Sequence, residues 1–162
     1  WDGWYGAARL VIYAISSGRE KPVERGLGAR LGDGIHLLGY SLVDQKAKPG
    51  EIIRLTLQWK ASEEIETGYK VFVHLLDGEG RIVAQRDSEP VGGSRPTSGW
   101  GIGEEIGDNY GIILPEELPS GEYQLVVGMY DPTSGERLPI YGRDGERLPG
   151  DRALLGAVEV TR

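Results

Sequence analysis

Two histidines, adjacent acid pairs and a few large rings are where this sequence would keep any chemistry. His36 and His74 are its two imidazoles, and it has no cysteine. Without thiols there is no thiolate nucleophile, no Cys-ligated zinc and no disulfide frame. A Ser-His-Asp triad sets an imidazole between a hydroxyl and a carboxylate. His36 instead lies between Ile35 and Leu37, and His74 between Val73 and Leu75, in runs that read as strands without a nucleophile elbow. Both are read as structural. Glu104 with Glu105 and Glu116 with Glu117 offer carboxylates for paired-acid hydrolysis. Neighbours on a strand face opposite ways, so these are poor catalytic pairs. No catalytic residue is assigned, and the chain is expected not to be an enzyme. Gly99-Trp100-Gly101-Ile102-Gly103 lacks the third glycine of a dinucleotide loop and leads into a strand, so no helix N-terminus awaits a phosphate. No Asp-x-Asp-x-Asp-Gly loop is present, and no metal ligand is assigned on a motif. A calcium ion on Asp87, Asp108 and loop carbonyls is the one cofactor left open.

Aromatic residues carry the binding argument. Sugars stack on flat rings, so Trp100, in a Gly/Ser/Pro-rich loop, is a candidate glycan platform; the plainer reading is a ring that caps one end of the fold. Trp59 alternates with core residues and is read as buried. Trp1, Trp4 and Tyr5 are candidate interface aromatics, because large rings on a chain end are costly unless covered.

The elements that must position these residues are strands. The chain has 162 residues, about one domain's worth, with 26 glycines and nine prolines falling between short apolar runs. Glu51–Lys60 sets Ile53, Leu55, Leu57 and Trp59 on one face and Arg54, Thr56, Gln58 and Lys60 on the other, the period of a half-buried strand. Further strands are read at Ile35–Val43, Tyr69–Leu76, Arg81–Arg86, Tyr110–Leu114, Glu122–Tyr130, Arg137–Tyr141 and Leu154–Val160. Seven to nine short strands predict an antiparallel β-sandwich of immunoglobulin-like topology. Leu118-Pro119-Ser120-Gly121-Glu122-Tyr123 has the spacing of a tyrosine corner, which makes Tyr123 structural.

Ala7–Ile15 reads as a strand with both faces apolar, and Ser16–Gly34 as a polar, glycine-rich linker. The expected organisation is therefore a strand and linker over 1–34 and a sandwich over 35–162. Arg9, Leu10, Val11, Ile12, Tyr13 and Ile15 are the candidate assembly strand. That strand can close its own sandwich as an edge or add to the sheet of a neighbour. Residues 1–30 carry five basic and three acidic side chains against a net charge of −7 for the whole chain, so a mildly basic arm meets an acidic body. That balance argues against a nucleic-acid-coating protein. No apolar run approaches the ~20 residues of a membrane helix.

Several segments together resemble a known family. They are Gly34-Ile35-His36-Leu37-Leu38-Gly39-Tyr40, Leu55-Thr56-Leu57-Gln58-Trp59, Tyr69–Asp77, Ala84–Pro90, Pro96-Thr97-Ser98-Gly99-Trp100 and Gly121-Glu122-Tyr123 through Asp131. As a set, over roughly residues 30–162, they look like the extracytoplasmic C-terminal β-sandwich domain of bacterial membrane glycosyltransferases related to protein O-mannosyltransferases. The resemblance implies an extracytoplasmic location and a structural or interaction role without catalysis, since that family's catalytic apparatus lies in its membrane part. The expected partners are other copies of the chain or a cell-envelope protein, with glycan as a further candidate. The alternatives are a cell-surface filament subunit whose residues 7–15 complete a neighbour's sheet, and a carbohydrate-binding module.

Overall fold

The computed structural model describes residues 23–162. The expectations for Trp1, Trp4, Tyr5 and the strand 7–15 lie outside them. Ten strands follow one another: β1 (Val23–Leu31), β2 (Ile35–Leu42), β3 (Lys46–Ala47), β4 (Ile52–Ala61), β5 (Lys70–Leu76), β6 (Ile82–Ser88), β7 (Glu105–Ile113), β8 (Gly121–Tyr130), β9 (Ile140–Tyr141) and β10 (Ala153–Val160). They form two five-stranded sheets in the orders β7-β4-β2-β1-β9 and β3-β10-β8-β5-β6. All pairings are antiparallel except β3 with β10, which is parallel.

This is an immunoglobulin-like sandwich. β2, β4 and β7 are strands A, B and E of one sheet; β6, β5, β8 and β10 are C′, C, F and G of the other. A short A′ segment, β3, crosses over to lie beside G. Strands A, B, C, C′, E, F and G are thus supplied by residues 23–162, with no strand D between β6 and β7 among the described residues. Among the described residues no helix is long and apolar enough to cross a membrane.

Period two places the core between the sheets. Ile53, Leu55, Leu57 and Trp59 of β4 point inward and are buried, as are Val71, Val73 and Leu75 of β5 and Tyr123, Leu125, Val127 and Met129 of β8. The Tyr40 hydroxyl of β2 crosses the core to donate to the Leu155 carbonyl of β10, tying one sheet to the other. The tyrosine corner is formed: the Tyr123 hydroxyl donates to the Pro119 carbonyl at 2.6 Å.

Two expectations need correction. Ser16–Gly34 is not all linker, because Val23–Leu31 is strand β1, paired with β2. The glycines that suggested a linker make a bulge: the register shifts between Gly26 and Ala29, and Gly28 sits at φ 66°. The body therefore includes Val23–Leu31, ahead of residue 35. Strand E also starts at Glu105, five residues before the predicted Tyr110. Its inward row is Ile106, Asp108, Tyr110 and Ile112, and a charged residue at an inward position hides the alternation.

Removing the corner's hydrogen bond should loosen the turn without a cavity. Tyr123→Phe is expected to lower unfolding free energy by about 1–2 kcal/mol in urea denaturation, with an unchanged m-value. An unchanged midpoint would show that the corner contributes nothing.

Candidate functional site

The residues singled out in the sequence are spent mostly on the fold. Trp59 is fully buried and its indole N–H donates to Asp108 Oδ2 at 3.2 Å. Trp100 is only 4% exposed, its ring tilted against Trp59 with centroids 6.4 Å apart, and its indole N–H donates to the Arg95 carbonyl at 2.9 Å. The glycan-platform reading of Trp100 is therefore corrected: a stacking face must be open to solvent, and this ring plugs the end of the core. Glu104 holds that plug in place, accepting from Arg95 at 2.6 Å and from the Gly101 N–H at 3.0 Å. The Arg95 hydrogen bond, followed by that of Gly101, holds its carboxyl below the ordinary range. Glu105, Glu116 and Glu117 are exposed.

Asp108 is completely buried. Its Oδ2 accepts from the Tyr110 hydroxyl at 2.7 Å as well as from Trp59, and its Oδ1 accepts from the Val91 N–H at 2.7 Å. Val91 holds φ 55°, a backbone setting that a β-branched residue adopts only under constraint. Asp87 lies on the opposite side of the other sheet, accepting from the Tyr130 hydroxyl at 3.1 Å. The two acids face different environments, so the calcium arrangement on Asp87 and Asp108 is not built. Among the described residues no group of three or more His, Cys, Asp or Glu could hold a metal ion.

Neither histidine makes a triad. His74 is buried with Nε2 3.6 Å from Asp87 Oδ1, and its buried Nδ1 meets no hydrogen-bond partner. His36 Nε2 lies 2.9 Å from Ser62 Oγ, a histidine–serine contact that the sequence did not reveal. Its cross-strand neighbours are Arg30 and Lys60, two cations where a triad needs a carboxylate. Burial raises the Tyr130 hydroxyl's pKa, with a further push from the Asp87 charge.

What the fold does build is a cleft. Strand order places the BC loop (62–69), the FG loop (131–152) and the β1–β2 turn at the same end of the sandwich, the end that carries binding loops in antibody variable domains. Between them lies a cavity of about 470 Å³, within the size range of small-ligand pockets. Its floor is apolar, with Leu31, Ile35, Ile65, Tyr69, Leu138 and Pro139; its rim carries Asp33, Glu63, Glu64 and Glu66. Among the described residues no lysine or arginine lines it, although Arg30 approaches Asp33 to 3.8 Å from outside.

The walls are pinned. The buried Thr97 hydroxyl donates to the Thr67 carbonyl at 2.6 Å and accepts from the Tyr69 N–H at 2.9 Å, binding the BC loop to the segment that leads to Trp100. The Gly32 N–H donates to the Pro139 carbonyl at 2.8 Å, joining the β1–β2 turn to the FG loop. Gly34 lets Glu63 lie close, since a Cβ there would stand 2.2 Å from Glu63 Cγ. The acid-rich run 63–66 was the available sequence signal for this cleft, and only the topology shows that it sits opposite the FG loop.

Fold and cleft together define an immunoglobulin-like β-sandwich with a loop-end recess. No family model and no curated protein matches the chain. Among solved structures it is similar to the C-terminal domain of wzt (14% identity, TM-score 0.44, covering 89% of this chain and 80% of that one). It is also similar to the CARDB domain of a Pyrococcus furiosus protein in complex with di-metal ions (12% identity, TM-score 0.40, 88% and 91%). A β-glucuronidase from glycoside hydrolase family 2 matches at 9% identity and TM-score 0.43, covering 71% of this chain, which spans 10% of that enzyme's length.

The Glu104 contact gives a signed expectation. A carboxyl whose pKa is depressed on folding stabilises above its unfolded value, and loses that contribution as pH falls through the folded value. The indole N–H resonance of Trp100 should therefore shift in an acid step below the usual glutamate range, and that step should vanish in Glu104→Gln. An identical step in the variant would assign it to another group.

Proposed function

We propose that this chain is a non-catalytic, extracytoplasmic recognition module. It would be an accessory unit of the kind its resemblance to membrane glycosyltransferase sandwiches suggests, docking a cationic segment of a cell-envelope partner in the BC–FG cleft. The observation that carries the reading is where the polar groups go. Asp108 and Thr97 spend their hydrogen bonds inside the fold, and the buried Arg54 side chain clasps Asp44 through two 2.9 Å contacts. The cleft's carboxylates instead stand over an apolar floor with no imidazole in the lining. Such a surface recognises a segment that pairs positive charge with apolar bulk, and its charges act chiefly on association rate and partner choice.

A filament subunit that lends residues 7–15 to its neighbour is the second reading. It is favoured by the edge of β1, where among the described residues β9 pairs with Arg30 and Leu31 alone.

A fluorescent peptide of alternating lysine and leucine, with a glutamate–leucine peptide as control, tests the main reading on the full chain. Binding of the lysine peptide is expected, weakened by salt and by about tenfold in the Glu63→Gln/Glu64→Gln/Glu66→Gln variant. Equal binding of both peptides would contradict the reading. So would turnover of a nitrophenyl ester or glycoside that is lost in Ser62→Ala.

A further inference from the structure

We infer that Asp33, in the turn between β1 and β2, is a site of spontaneous isoaspartate formation, and that the product loosens the cleft wall this turn provides. The inference concerns covalent chemistry of the turn and stands independently of the recognition reading. Aspartate followed by glycine is a sequence that cyclises readily, because glycine has no Cβ to shield its backbone nitrogen. The described residues hold three such steps, Asp33-Gly34, Asp77-Gly78 and Asp144-Gly145; a fourth, Asp2-Gly3, lies outside them. Sequence alone treats the three alike, and the structure separates them.

Two of them are held in place. Asp77 Oδ1 accepts from the Arg81 and Glu79 N–H groups at 3.0 and 2.9 Å, and its Oδ2 accepts from Arg81 Nε at 2.9 Å. The Arg81 N–H bond, first among these, holds the Asp77 pKa below its ordinary value, which favours the charged and less electrophilic form. At Asp144, Oδ1 accepts from the Glu146 N–H at 3.0 Å. The Gly145 N–H, whose nitrogen would have to attack, donates to the Gly142 carbonyl at 2.9 Å. Asp33 is placed differently. Its side chain is 95% exposed, and Arg30 Nη1, its ion-pair partner, stands 3.8 Å away, beyond hydrogen-bond distance. Its carboxyl can therefore rotate onto the Gly34 nitrogen, which is the approach that cyclisation requires.

The reaction uses only the chain and water. The Gly34 nitrogen attacks Cγ of the protonated Asp33 carboxyl, an N–Cγ bond forms, and the carboxyl hydroxyl leaves as water with the amide proton. Water then adds to the cyclic imide at the Asp33 backbone carbonyl, breaks its bond to the Gly34 nitrogen and frees it as a carboxylate. The main chain now runs through Cβ and Cγ of residue 33 and is longer by a methylene. The turn has little room for that. Gly32, Asp33 and Gly34 alone join the paired Leu31 and Ile35, and Gly32 sits at φ 57°. The Gly32 N–H donates to the Pro139 carbonyl at 2.8 Å, and the Gly34 carbonyl accepts from the Ser62 N–H at 2.9 Å. Lengthening the backbone between those two bonds strains both. They tie the turn to the FG and BC loops across the recess that Leu31, Asp33 and Ile35 line.

Incubation of the full chain in heavy-oxygen water at mildly acidic pH, followed by peptide mapping with electron-transfer fragmentation to tell isoaspartate from aspartate, tests this site by site. The expected result is heavy-oxygen-labelled isoaspartate at residue 33, roughly tenfold above residues 77 and 144 in the folded chain, because their carboxyls are not free to reach the attacking nitrogen. In urea the three sites should converge. In the isomerised fraction, separated by chromatography, amide exchange at Gly32 and Ser62 should speed up while residues 121–130 stay protected. An unaltered residue 33, or equal conversion of the three sites in the folded chain, would overturn the inference. Unchanged exchange at Gly32 and Ser62 in the isomerised fraction would overturn its consequence for the cleft.

Discussion

A carboxylate at an inward position of an edge strand sets the terms for one end of this molecule. Asp108 replaces an apolar residue in the row Ile106–Ile112, and burying its charge is costly unless every oxygen is engaged. The tryptophan N–H, tyrosine hydroxyl and backbone N–H that meet it come from three places: β4, β7 itself and the turn that follows β6. The strained turn at Val91 is the visible cost of that arrangement. From there the chain passes Trp100, packed on Trp59, and Thr97, which holds the BC loop. The cleft wall therefore rests, through a continuous run of contacts, on one buried acid. An inward charge on an edge strand also discourages pairing with a foreign strand.

Much of this was legible in the residues. The alternation in Glu51–Lys60 and Glu122–Tyr130, the turns between strands and the Leu-x-x-Gly-x-Tyr spacing lead to the sandwich and its corner, because period two and turn chemistry act locally. β1 was hidden because its bulge uses glycines, and glycine reads as loop unless its partner strand is known. The start of β7 was hidden because the residue at the inward position is Asp108. Both failures have one physical source: a neighbour distant in sequence compensates a locally unfavourable residue.

The cleft was less legible still. Glu63, Glu64 and Glu66 are ordinary surface acids until the topology sets them across from Leu138 and Pro139. Trp100 misled in the opposite direction. Its glycine- and serine-rich surroundings suggest an exposed ring, yet the loop folds inward around it, held by Arg95 and Glu104. Polar groups fixed in structural bonds are poor reagents, and glutamates over an apolar floor suit the proposed docking of a complementary segment.

The dependence of the cleft wall on Asp108 is most directly tested by residue-resolved amide exchange on Asp108→Asn. The account predicts lost protection in residues 63–69 and 89–104, while the Pro115–Tyr123 corner at the opposite end keeps its own. Unchanged protection near the cleft, or an even loss across the whole sandwich, would contradict it.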